Sequence, residues 1–464
     1  MSASIKTCQK YLLQFANEHV DFRTAELTAL ANLYGTTLKE DNLLHHNIKS
    51  PFLEVEFASE HLAKKIAGRS VLIKSLYELW SSGSSYEELN RKLKHLPAYL
   101  IAPYLKQDQT FRIQVDGYNK KLVQTDKVRK IEDLPLDFKG KVQLKEPDNS
   151  FHLLEYYGSV GEQPPDNPYA VYFGRWLADG QRDRIGQYHL QKRHFIGNTS
   201  MDAGLSMLMS NMGQVQRSRL VFDPFVGTGS LLVACAHHGG YVAGADIDYL
   251  LLHAKGKPSR HNQKKRASDE SVRANLQQYG LSQYYIDILV ADSSKQSLWR
   301  TSQLFDAIIT DPPYGIREGA KKIGAENEDC YLTEEDKDGH VPQRINYQLS
   351  DIFKDLLNFA AKYLRQNGRL VYWFPVYIPD YREENIPTHP YLKLVSNCEQ
   401  RLTAKVARRL VTMEKIMNDT GGEINEASIA IDHYEDASFR QKYFQPNRPT
   451  PNTSNSSLIR KTEK

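Results

Sequence analysis

The sequence reads Asp223-Pro224-Phe225-Val226-Gly227-Thr228-Gly229-Ser230 at the point that decides its fold. A strand-like apolar run, Arg219–Phe225, leads into this stretch, and a helix-like apolar run, Leu231–His237, follows it. Glycine lacks a Cβ and tolerates unusual backbone angles, so a ligand can approach the backbone of such a loop closely. The stretch lacks the third glycine of the dinucleotide fingerprint, and no Gly-Lys-Ser/Thr follows it, which disfavours a nicotinamide site and a P-loop.

The alternation of strand and helix extends from about residue 195 to 415. We predict strands here at Arg219–Phe225, Tyr241–Asp246, Ile286–Ala291, Phe305–Thr310 and Arg369–Phe374. These runs are rich in Val, Ile, Leu and Tyr without polar alternation, which indicates a mostly parallel sheet covered on both faces. The fold class is therefore α/β.

Acidic residues stand at the ends of three successive predicted strands. Asp246 lies 23 residues after Asp223, where a carboxylate can accept hydrogen bonds from both hydroxyls of a ribose. Asp292 ends the third strand, where it could face the exocyclic amine of an adenine. No lysine or arginine accompanies these acids to bind phosphates, so the set favours an adenosyl ligand without a triphosphate. Taken singly, each acid equally fits a solvated strand end.

The fourth predicted strand ends at the most specific motif of the chain, Asp311-Pro312-Pro313-Tyr314-Gly315. Consecutive prolines fix the backbone and remove two N–H groups, which leaves carbonyls that can face a ligand. A planar amine could donate to the Asp311 carboxylate and the Pro312 carbonyl while Tyr314 stacks on the base. Such stacking is worth about 1–3 kcal/mol, enough to hold an unpaired nucleobase. The alternative is an ordinary tight turn with an exposed tyrosine.

The N-terminal part alternates in the same way, with short loops. We predict the strand Tyr11–Ala16, the helix Phe22–Tyr34, the strand Phe52–Phe57, the helix Ser59–Ala67, the strand Val71–Trp80, the helix Ser84–Leu96 and the strand Phe111–Tyr118. Gly35 is predicted to end the first helix. Turn residues at 147–150 predict a hairpin between Lys141–Glu146 and Phe151–Tyr157, and a proline-rich break at 163–168 predicts a linker.

The composition is typical of a soluble protein of two or three domains. The chain has 464 residues, 40% hydrophobic and 25% charged, and its net charge of +4 is too small to identify a nucleic-acid binder. No apolar run approaches the roughly 18 residues of a membrane span, so no membrane association is expected. The four cysteines form no CxxC pair, so we expect no metal site and a reducing, cytoplasmic setting.

Basic residues cluster in three places, at 120–130, 182–193 and 255–266. The last cluster has six Lys or Arg in twelve residues and directly follows the strand-end acids. Such runs can neutralise RNA phosphates, and together the three clusters suggest a long RNA footprint. Basic loops are often merely solvated, so whether 255–266 contacts RNA stays open. The acidic insertion at about 326–338 is assigned no role.

This combination resembles the class I S-adenosylmethionine-dependent methyltransferases that modify an exocyclic amine. In that family an acid-rich G-x-G loop, a ribose acid, an adenine acid and an Asn/Asp-Pro-Pro-Tyr/Phe motif occur in this order. The cofactor-binding residues that the resemblance implies are Asp223, Phe225, Gly227 and Gly229 for the methionine and adenosyl part, Asp246 for the ribose and Asp292 for the adenine. The implied catalytic residues at the target amine are Asp311, Pro312, Pro313 and Tyr314.

The chain also resembles the catalytic subunits of the eukaryotic tRNA guanosine-10 N2-methyltransferases, over about residues 1–415. This resemblance rests on the run Gly197-Asn198-Thr199-Ser200-Met201-Asp202, on the Asp form of the diproline motif and on the separate N-terminal domain. It implies methyl transfer to the exocyclic N2 amine of guanosine at tRNA position 10. It also places Thr199 and Ser200 against the cofactor's methionine end, although both equally fit as the N-cap of a helix Met201–Met212.

The resemblance implies a domain organisation and partners as well. The expected division is a THUMP-containing RNA-binding α/β region over 1–160, a linker over 161–194, a Rossmann-like class I methyltransferase domain over 195–417 and a disordered tail over 418–464. The expected partners are tRNA and a small zinc-binding methyltransferase activator subunit, which would form a heterodimer with the chain.

Two other functions stay open. The diproline motif recognises an amine and not a particular nucleic acid, so the substrate could be an amine of another RNA, such as rRNA or snRNA, or of DNA. The chain could also be an RNA-binding scaffold that has lost activity, although all four acids and both glycines are present. Whether one or two methyl groups are transferred is not decided by the sequence.

Overall fold

The computed structural model describes residues 9–39, 47–260, 263–300, 302–315, 319–324, 343–417, 426–429 and 442–443. The acidic insertion and most of the predicted disordered tail lie outside these residues. The described chain forms one large sheet in each half, with helices packed on both sheets. None of the described helices combines the length and the apolar character that a membrane span requires.

The N-terminal half is built on a six-stranded sheet. Its strands are β1 Gln9–Phe15, β2 Phe52–Phe57, β3 Ile73–Gly83, β4 Phe111–Tyr118, β5 Asn149–Tyr156 and β6 Ala170–Asp179. Its described α-helices are α1 Arg23–Leu33, α2 Glu60–Ala67, α3 Tyr86–Lys94, α4 Ala98–Ile101, α5 Gln124–Glu132 and α6 Arg182–Gln187. The strand order is β2-β1-β3-β6-β5-β4, and every neighbouring pair is antiparallel except β4 and β5.

Local sequence signals set the helix ends in this half. Ser59 and Ser85 cap α2 and α3, because their hydroxyl oxygens accept hydrogen bonds from the backbone N–H groups of Leu62 (N···O 3.2 Å) and Glu88 (3.3 Å). Gly35 follows α1 with a φ of +71°, a left-handed angle that glycine adopts without strain. The predicted helices of this half are confirmed to within a few residues at their ends.

The predicted hairpin is wrong, and the predicted linker is partly wrong. Lys141–Glu146 forms no strand, and within it only Val142 makes an isolated bridge, with Phe111. Strand β5 pairs in parallel with β4 and antiparallel with β6. Strand β6 lies inside the predicted linker 161–194, because the prolines at 163–168 end before the strand begins and remove none of its hydrogen bonds.

The C-terminal half is built on a seven-stranded sheet. The described strands of this half are β7 Leu220–Asp223, β8 Tyr241–Asp246, β9 Tyr285–Val290, β10 Phe305–Thr310, β11 Lys321–Ile323, β12 Arg344–Asn346, β13 Leu364–Tyr377, β14 Leu392–Arg401 and β15 Val406–Lys415. The described α-helices are α7 Ala203–Met212, α8 Ser230–His237, α9 Tyr249–Leu252, α10 Val272–Gln278 and α11 Leu349–Tyr363. The large sheet has the order β14-β15-β13-β10-β7-β8-β9, while β11 and β12 form a separate two-stranded sheet.

The topology of the large sheet determines where a ligand can bind. The strands from β13 to β9 in the sheet order run parallel, as predicted. Two further strands are not predicted from the sequence, namely β15, which pairs antiparallel with β13, and β14, which pairs antiparallel with β15. Helices α7, α8 and α10 cover one face and α11 covers the other, so β10 is buried along its whole length. The chain order reverses at β7, since β8 and β9 follow on one side and β10 on the other. Open α/β sheets bind ligands outside the carboxyl ends of the strands at such a switch point.

The two halves are joined by a buried polar contact between α1 and α7. Glu26 on α1 is completely buried. Its carboxylate accepts hydrogen bonds from Ser70 Oγ, the backbone N–H groups of Val71 and Leu72, and Asn211 Nδ2 on α7. Burial raises the pKa of the Glu26 carboxyl, and these four donors oppose the shift. One side chain thus satisfies donors from both halves of the molecule.

Replacing Glu26 with alanine should destabilise the whole protein. The substitution leaves buried donors without an acceptor, and each such group costs about 1–3 kcal/mol. We expect Glu26→Ala to lower the free energy of unfolding, measured by urea denaturation, by at least about 3 kcal/mol. Glu132→Ala, at the exposed end of α5, is the control and should change it by less than about 0.5 kcal/mol. Equal stability of the two variants would contradict the role given to Glu26.

Candidate active site

The carboxyl ends of β7, β8 and β10 surround a cavity of about 630 Å³. Most of the predicted site residues line it, namely Thr199, Ser200, Asp223, Phe225, Gly227, Asp246, Asp311, Pro312, Pro313 and Tyr314. Two predicted residues, Gly229 and Asp292, do not. The structure therefore brings the glycine-rich turn and the diproline turn together, as the strand-end pattern predicts.

The two glycines of the turn after β7 have different tasks. Gly227 has a φ of +49°, and a Cβ added there would meet no atom within 4 Å. Gly229 has a φ of +75°, but a Cβ added there would lie 2.5 Å from Val272 Cγ1 at the start of α10. The lack of a side chain at Gly227 thus leaves space in the cavity that this residue lines. Gly229 does not line the cavity, and its lack of a side chain allows close packing against α10.

Asp223 links the two turns that frame the cavity. Its buried carboxyl accepts hydrogen bonds from Thr310 Oγ1 at the end of β10 (2.6 Å) and from the Phe225 backbone N–H (3.0 Å). Burial raises the pKa of the Asp223 carboxyl to about 7, although both hydrogen bonds oppose the shift. Asp223 therefore fixes the spacing between β7 and β10 as well as lining the cavity.

Asp246 lies at the end of β8 and faces the same cavity. Its carboxylate accepts one hydrogen bond at each oxygen, from the backbone N–H groups of Gly227 and Asp248 (both 2.9 Å). Burial raises the pKa of the Asp246 carboxyl. Each carboxylate oxygen has two acceptor positions, so both oxygens can still accept a hydroxyl group of a ligand.

Asp292 is not part of this arrangement. Its carboxylate accepts hydrogen bonds from the backbone N–H groups of Ser294 (2.9 Å) and of Ile323 on β11 (2.6 Å). It lines a separate small cavity of about 20 Å³, to which Phe225 also contributes. Strand β11 thus contacts Asp292 directly, which the sequence does not predict. Of the three strand-end acids that the sequence predicts in one cavity, Asp223 and Asp246 line it and Asp292 does not.

Thr199 and Ser200 line the cavity and do not cap a helix. Helix α7 begins at Ala203, and its N-cap is Asp202, whose carboxylate accepts hydrogen bonds from the first turn of the helix. Ser200 Oγ instead accepts a hydrogen bond from the Gly197 N–H (2.7 Å) and lies 2.6 Å from Thr228 Oγ1. The segment before α7 is thereby tied to the glycine-rich turn, and the N-cap alternative is wrong.

The diproline turn presents a carboxylate that has two protein partners. Tyr314 donates its hydroxyl to Asp311 Oδ1, and Arg408 Nη1 on β15 lies 3.5 Å from Asp311 Oδ2. Burial raises the pKa of the Asp311 carboxyl, while Arg408 and Tyr314 act in the opposite direction. Tyr314 is half-buried and packs against the core, so the alternative of an ordinary turn with an exposed tyrosine is wrong.

Several residues that line the cavity are not predicted as site residues from the sequence. They are Asp202, Asp248, Lys321, Arg344 and Arg408, of which Asp202 and Asp248 are helix N-caps. Helix-cap spacing before α7 and α9 could have identified these two acids. Nothing in the sequence near Arg408 distinguishes it, because its strand enters the site only through the antiparallel pairing of β15 with β13.

Many residues of the three basic clusters have internal partners. Arg193 is buried and donates to Ser230 Oγ (2.7 Å), and Arg266 forms a buried ion pair with Glu270 (2.7 Å). Lys120 donates to the backbone carbonyls of residues 165 and 166. These contacts stabilise the fold, so the clusters offer fewer free cations to RNA than the sequence suggests.

In the described part of the chain, no group of three or more His, Cys, Asp or Glu side chains could hold a metal ion.

Two family models match the chain. The model of the Tmrp11 THUMP N-terminal domain matches residues 9–182, which include all six strands of the N-terminal sheet. The model of the RMKL-like methyltransferase domain matches residues 191–328, which include the glycine-rich and diproline turns. Among solved structures, that of TrmN from Thermus thermophilus covers 88% of this chain and 100% of its own, with 17% identity and a TM-score of 0.40.

Curated relatives match over nearly the whole chain. The tRNA (guanine(10)-N(2))-methyltransferase TRMT11 of Homo sapiens is 49% identical over 446 residues, which are 94% of this chain and 96% of the relative. The Bos taurus protein of that name is 49% identical over 94% of this chain and 95% of its own. The Dictyostelium discoideum protein is 37% identical over 88% and 82%. At these identities and coverages, the chain belongs to the TRMT11 family of tRNA (guanine(10)-N(2))-methyltransferases.

Proposed function

We propose that this chain methylates the exocyclic N2 amine of guanosine 10 in tRNA, the reaction after which its relatives are named, with S-adenosyl-L-methionine as the methyl donor. The observation that carries the proposal is that the glycine-rich turn after β7 and the diproline turn after β10 open into one cavity. A donor bound at the first turn and an amine bound at the second would be neighbours. An inactive scaffold would need neither turn to be kept open.

The residues present fit S-adenosyl-L-methionine. The cavity is in the usual size range of small-molecule sites, Gly227 leaves it open beside the backbone, and Asp246 keeps acceptor positions for a ribose. When bound, the cofactor supplies a methyl group on a sulfonium, which is already activated for transfer to a nucleophile. The position of Asp292 outside the cavity gives no support to its predicted contact with adenine.

The diproline turn suits the task of activating a weak nucleophile. The lone pair of an aromatic amine is delocalised into the ring, so the amine reacts poorly. The Asp311 carboxylate and the Pro312 carbonyl can each accept one of its hydrogens, which favours a localised lone pair and stabilises the positive charge that develops on nitrogen. Asp311 or water then takes the proton. Transfer would break the bond between the methyl carbon and the sulfonium sulfur as the bond to nitrogen forms, so residues that hold the nitrogen in line with that bond would supply much of the remaining acceleration.

The small zinc-binding activator subunit belongs to the same proposal, and β9 is where we place it. This strand is the last of its sheet, so one side of its backbone is unpaired within the described chain. Ile286, Leu289 and Val290 on β9 are 45–52% exposed. An exposed apolar edge strand favours association with another chain, by strand pairing or side-chain contact.

The finer assignments stay proposals as well. The N-terminal region would bind the tRNA, and the sequence predicts the limits 1–160 for it. The structure extends its sheet to β6, so the region that we assign to RNA binding ends at about residue 182. We place the enzyme in the cytoplasm, as the scattered cysteines suggest.

Removing the Asp311 carboxylate should stop the chemistry and spare cofactor binding. We expect Asp311→Ala to reduce the rate of N2-methylguanosine formation at position 10 by about 100-fold or more, since groups that stabilise developing charge typically contribute that much. Nucleoside mass spectrometry of tRNA transcripts measures the product. The dissociation constant of S-adenosyl-L-methionine, measured by calorimetry, should change by less than about twofold. Undiminished methylation would remove Asp311 from the mechanism.

Asp246→Ala is the matched control, because it removes a carboxylate from the other side of the same cavity. It should weaken S-adenosyl-L-methionine binding by about tenfold or more, as hydrogen bonds to charged groups contribute about 1.5–3 kcal/mol. Its transfer rate at saturating cofactor should fall less than that of Asp311→Ala. If both variants lost binding and rate in the same proportion, separate tasks for the two acids would be refuted.

Placing a charge on the β9 edge should weaken the heterodimer. We expect Ile286→Glu to reduce co-purification of the zinc-binding activator by about tenfold, because the substitution buries a carboxylate in an apolar contact. Val123→Glu places the same charge at another exposed apolar position, in the N-terminal half, and should have no effect. An unchanged yield of complex with Ile286→Glu would exclude β9 as the contact.

A further inference from the structure

Arg408 is held so that its guanidinium faces the catalytic turn. Its Cζ lies 4.0 Å from the centroid of the Trp373 ring, and its Nε donates to Gln400 Oε1 (2.7 Å) on the neighbouring strand β14. Its Nη1 lies 3.5 Å from Asp311 Oδ2. The side chain is 13% exposed, so most of it is inside the protein. These contacts fix the plane of the guanidinium and leave one edge facing Asp311.

The support beneath Arg408 comes from both halves of the molecule. Trp373 lies on β13 and is completely buried. The ring of Phe22, directly before α1, lies 6.0 Å from the Trp373 ring, centroid to centroid. A buried indole between two elements has little freedom to move, so the guanidinium stacked on it has a fixed position as well.

We propose that Arg408 is a positioning residue that holds the Asp311 carboxylate, through its Oδ2, in the orientation that accepts an N–H of the target amine. This role rests on the proposed function, since it acts only through Asp311. A contact of Arg408 with an RNA phosphate is the competing role. The low exposure and the internal partners of the guanidinium argue against it.

The electrostatics at the turn make the role testable. Among the residues that the structure describes, the ionisable side chains that interact with Asp311 are Tyr314 in the same turn, Arg408 on β15 and Asp223 on β7. Burial raises the pKa of the Asp311 carboxyl, and Arg408 is the cation that counteracts it. Loss of the guanidinium should therefore raise this pKa further, so that the reactive carboxylate is lost at a higher pH as the pH falls.

The neighbouring residue on β15 offers a matched control. Arg409 is as little exposed as Arg408, and it stacks on the Tyr381 ring (Cζ to centroid 4.8 Å). Its Nη1 pairs with Glu399 (3.3 Å), and it does not line the cavity. A substitution at Arg409 therefore removes an equivalent stacked, paired guanidinium from the same strand without touching Asp311.

The experiment compares the full chain with R408Q, R408K and R409Q, supplied with the activator subunit, in single-turnover methylation of a tRNA transcript between pH 5.5 and 8.5. We expect R408Q to lower the rate at pH 7 by about tenfold and to move the acid limb of the profile up by about one pH unit, because an opposite charge shifts a carboxyl pKa by about 1–3 units. R408K keeps the positive charge, so the acid limb of its pH profile should lie close to that of the unsubstituted chain. R409Q should leave the profile unchanged.

Binding and stability measurements complete the test. The dissociation constants of S-adenosyl-L-methionine and tRNA should change by less than about twofold in R408Q, and its melting temperature should match that of R409Q. An R408Q profile with an unmoved acid limb overturns the proposal, whether the rate is normal or uniformly reduced. A tenfold loss of tRNA affinity with a normal single-turnover rate would make Arg408 a phosphate contact and also overturn it. An inactive wild-type chain would count against the proposed function itself.

Discussion

The hydrogen bond from the Thr310 hydroxyl to Asp223 joins the last residues of β10 and β7, and the active site depends on it. The two strands are parallel neighbours, so the turns that follow them emerge at the same edge of the sheet. The bond fixes the distance between these turns. The cavity is lined by Asp223, Asp246 and Asp311, and burial raises the pKa of each of these carboxyls.

The N-terminal half packs directly against the half that carries the cavity. Its helix α1 shares a buried hydrogen-bond network with α7 through Glu26, and Phe22 packs against Trp373, the ring on which Arg408 stacks beside the diproline turn. The two halves therefore have a fixed spacing. A fixed spacing between an RNA-binding domain and a catalytic cavity lets an enzyme select a nucleotide by its distance from the bound part of the RNA. This is a physical reason for joining the domains through a packed core and not through a flexible linker.

The sequence predicts the parts of the site that follow from local pattern. A buried strand followed by a glycine-rich or diproline turn can be recognised within one segment. The sequence therefore places Gly227, Asp246 and Asp311 at one edge of the sheet, and the structure has all three lining one cavity. The failures involve contacts between distant segments. Asp292 lines a different cavity and accepts a hydrogen bond from Ile323 on β11, and Arg408 reaches the cavity because β15 pairs with β13. Strand β6 is missed for a different, local reason, because the prolines directly before it suggest a linker.

The claim most open to a direct test is that the diproline turn presents the N2 amine of one guanosine to a methyl donor in the same cavity. Replacing guanosine 10 of a tRNA transcript by inosine removes only that amine and leaves the ring and its other hydrogen-bonding groups. Incorporation of labelled methyl groups from S-adenosyl-L-methionine should reach about one or two per molecule on the unmodified transcript and fall to background on the inosine transcript. Equal incorporation into both transcripts would contradict the claim.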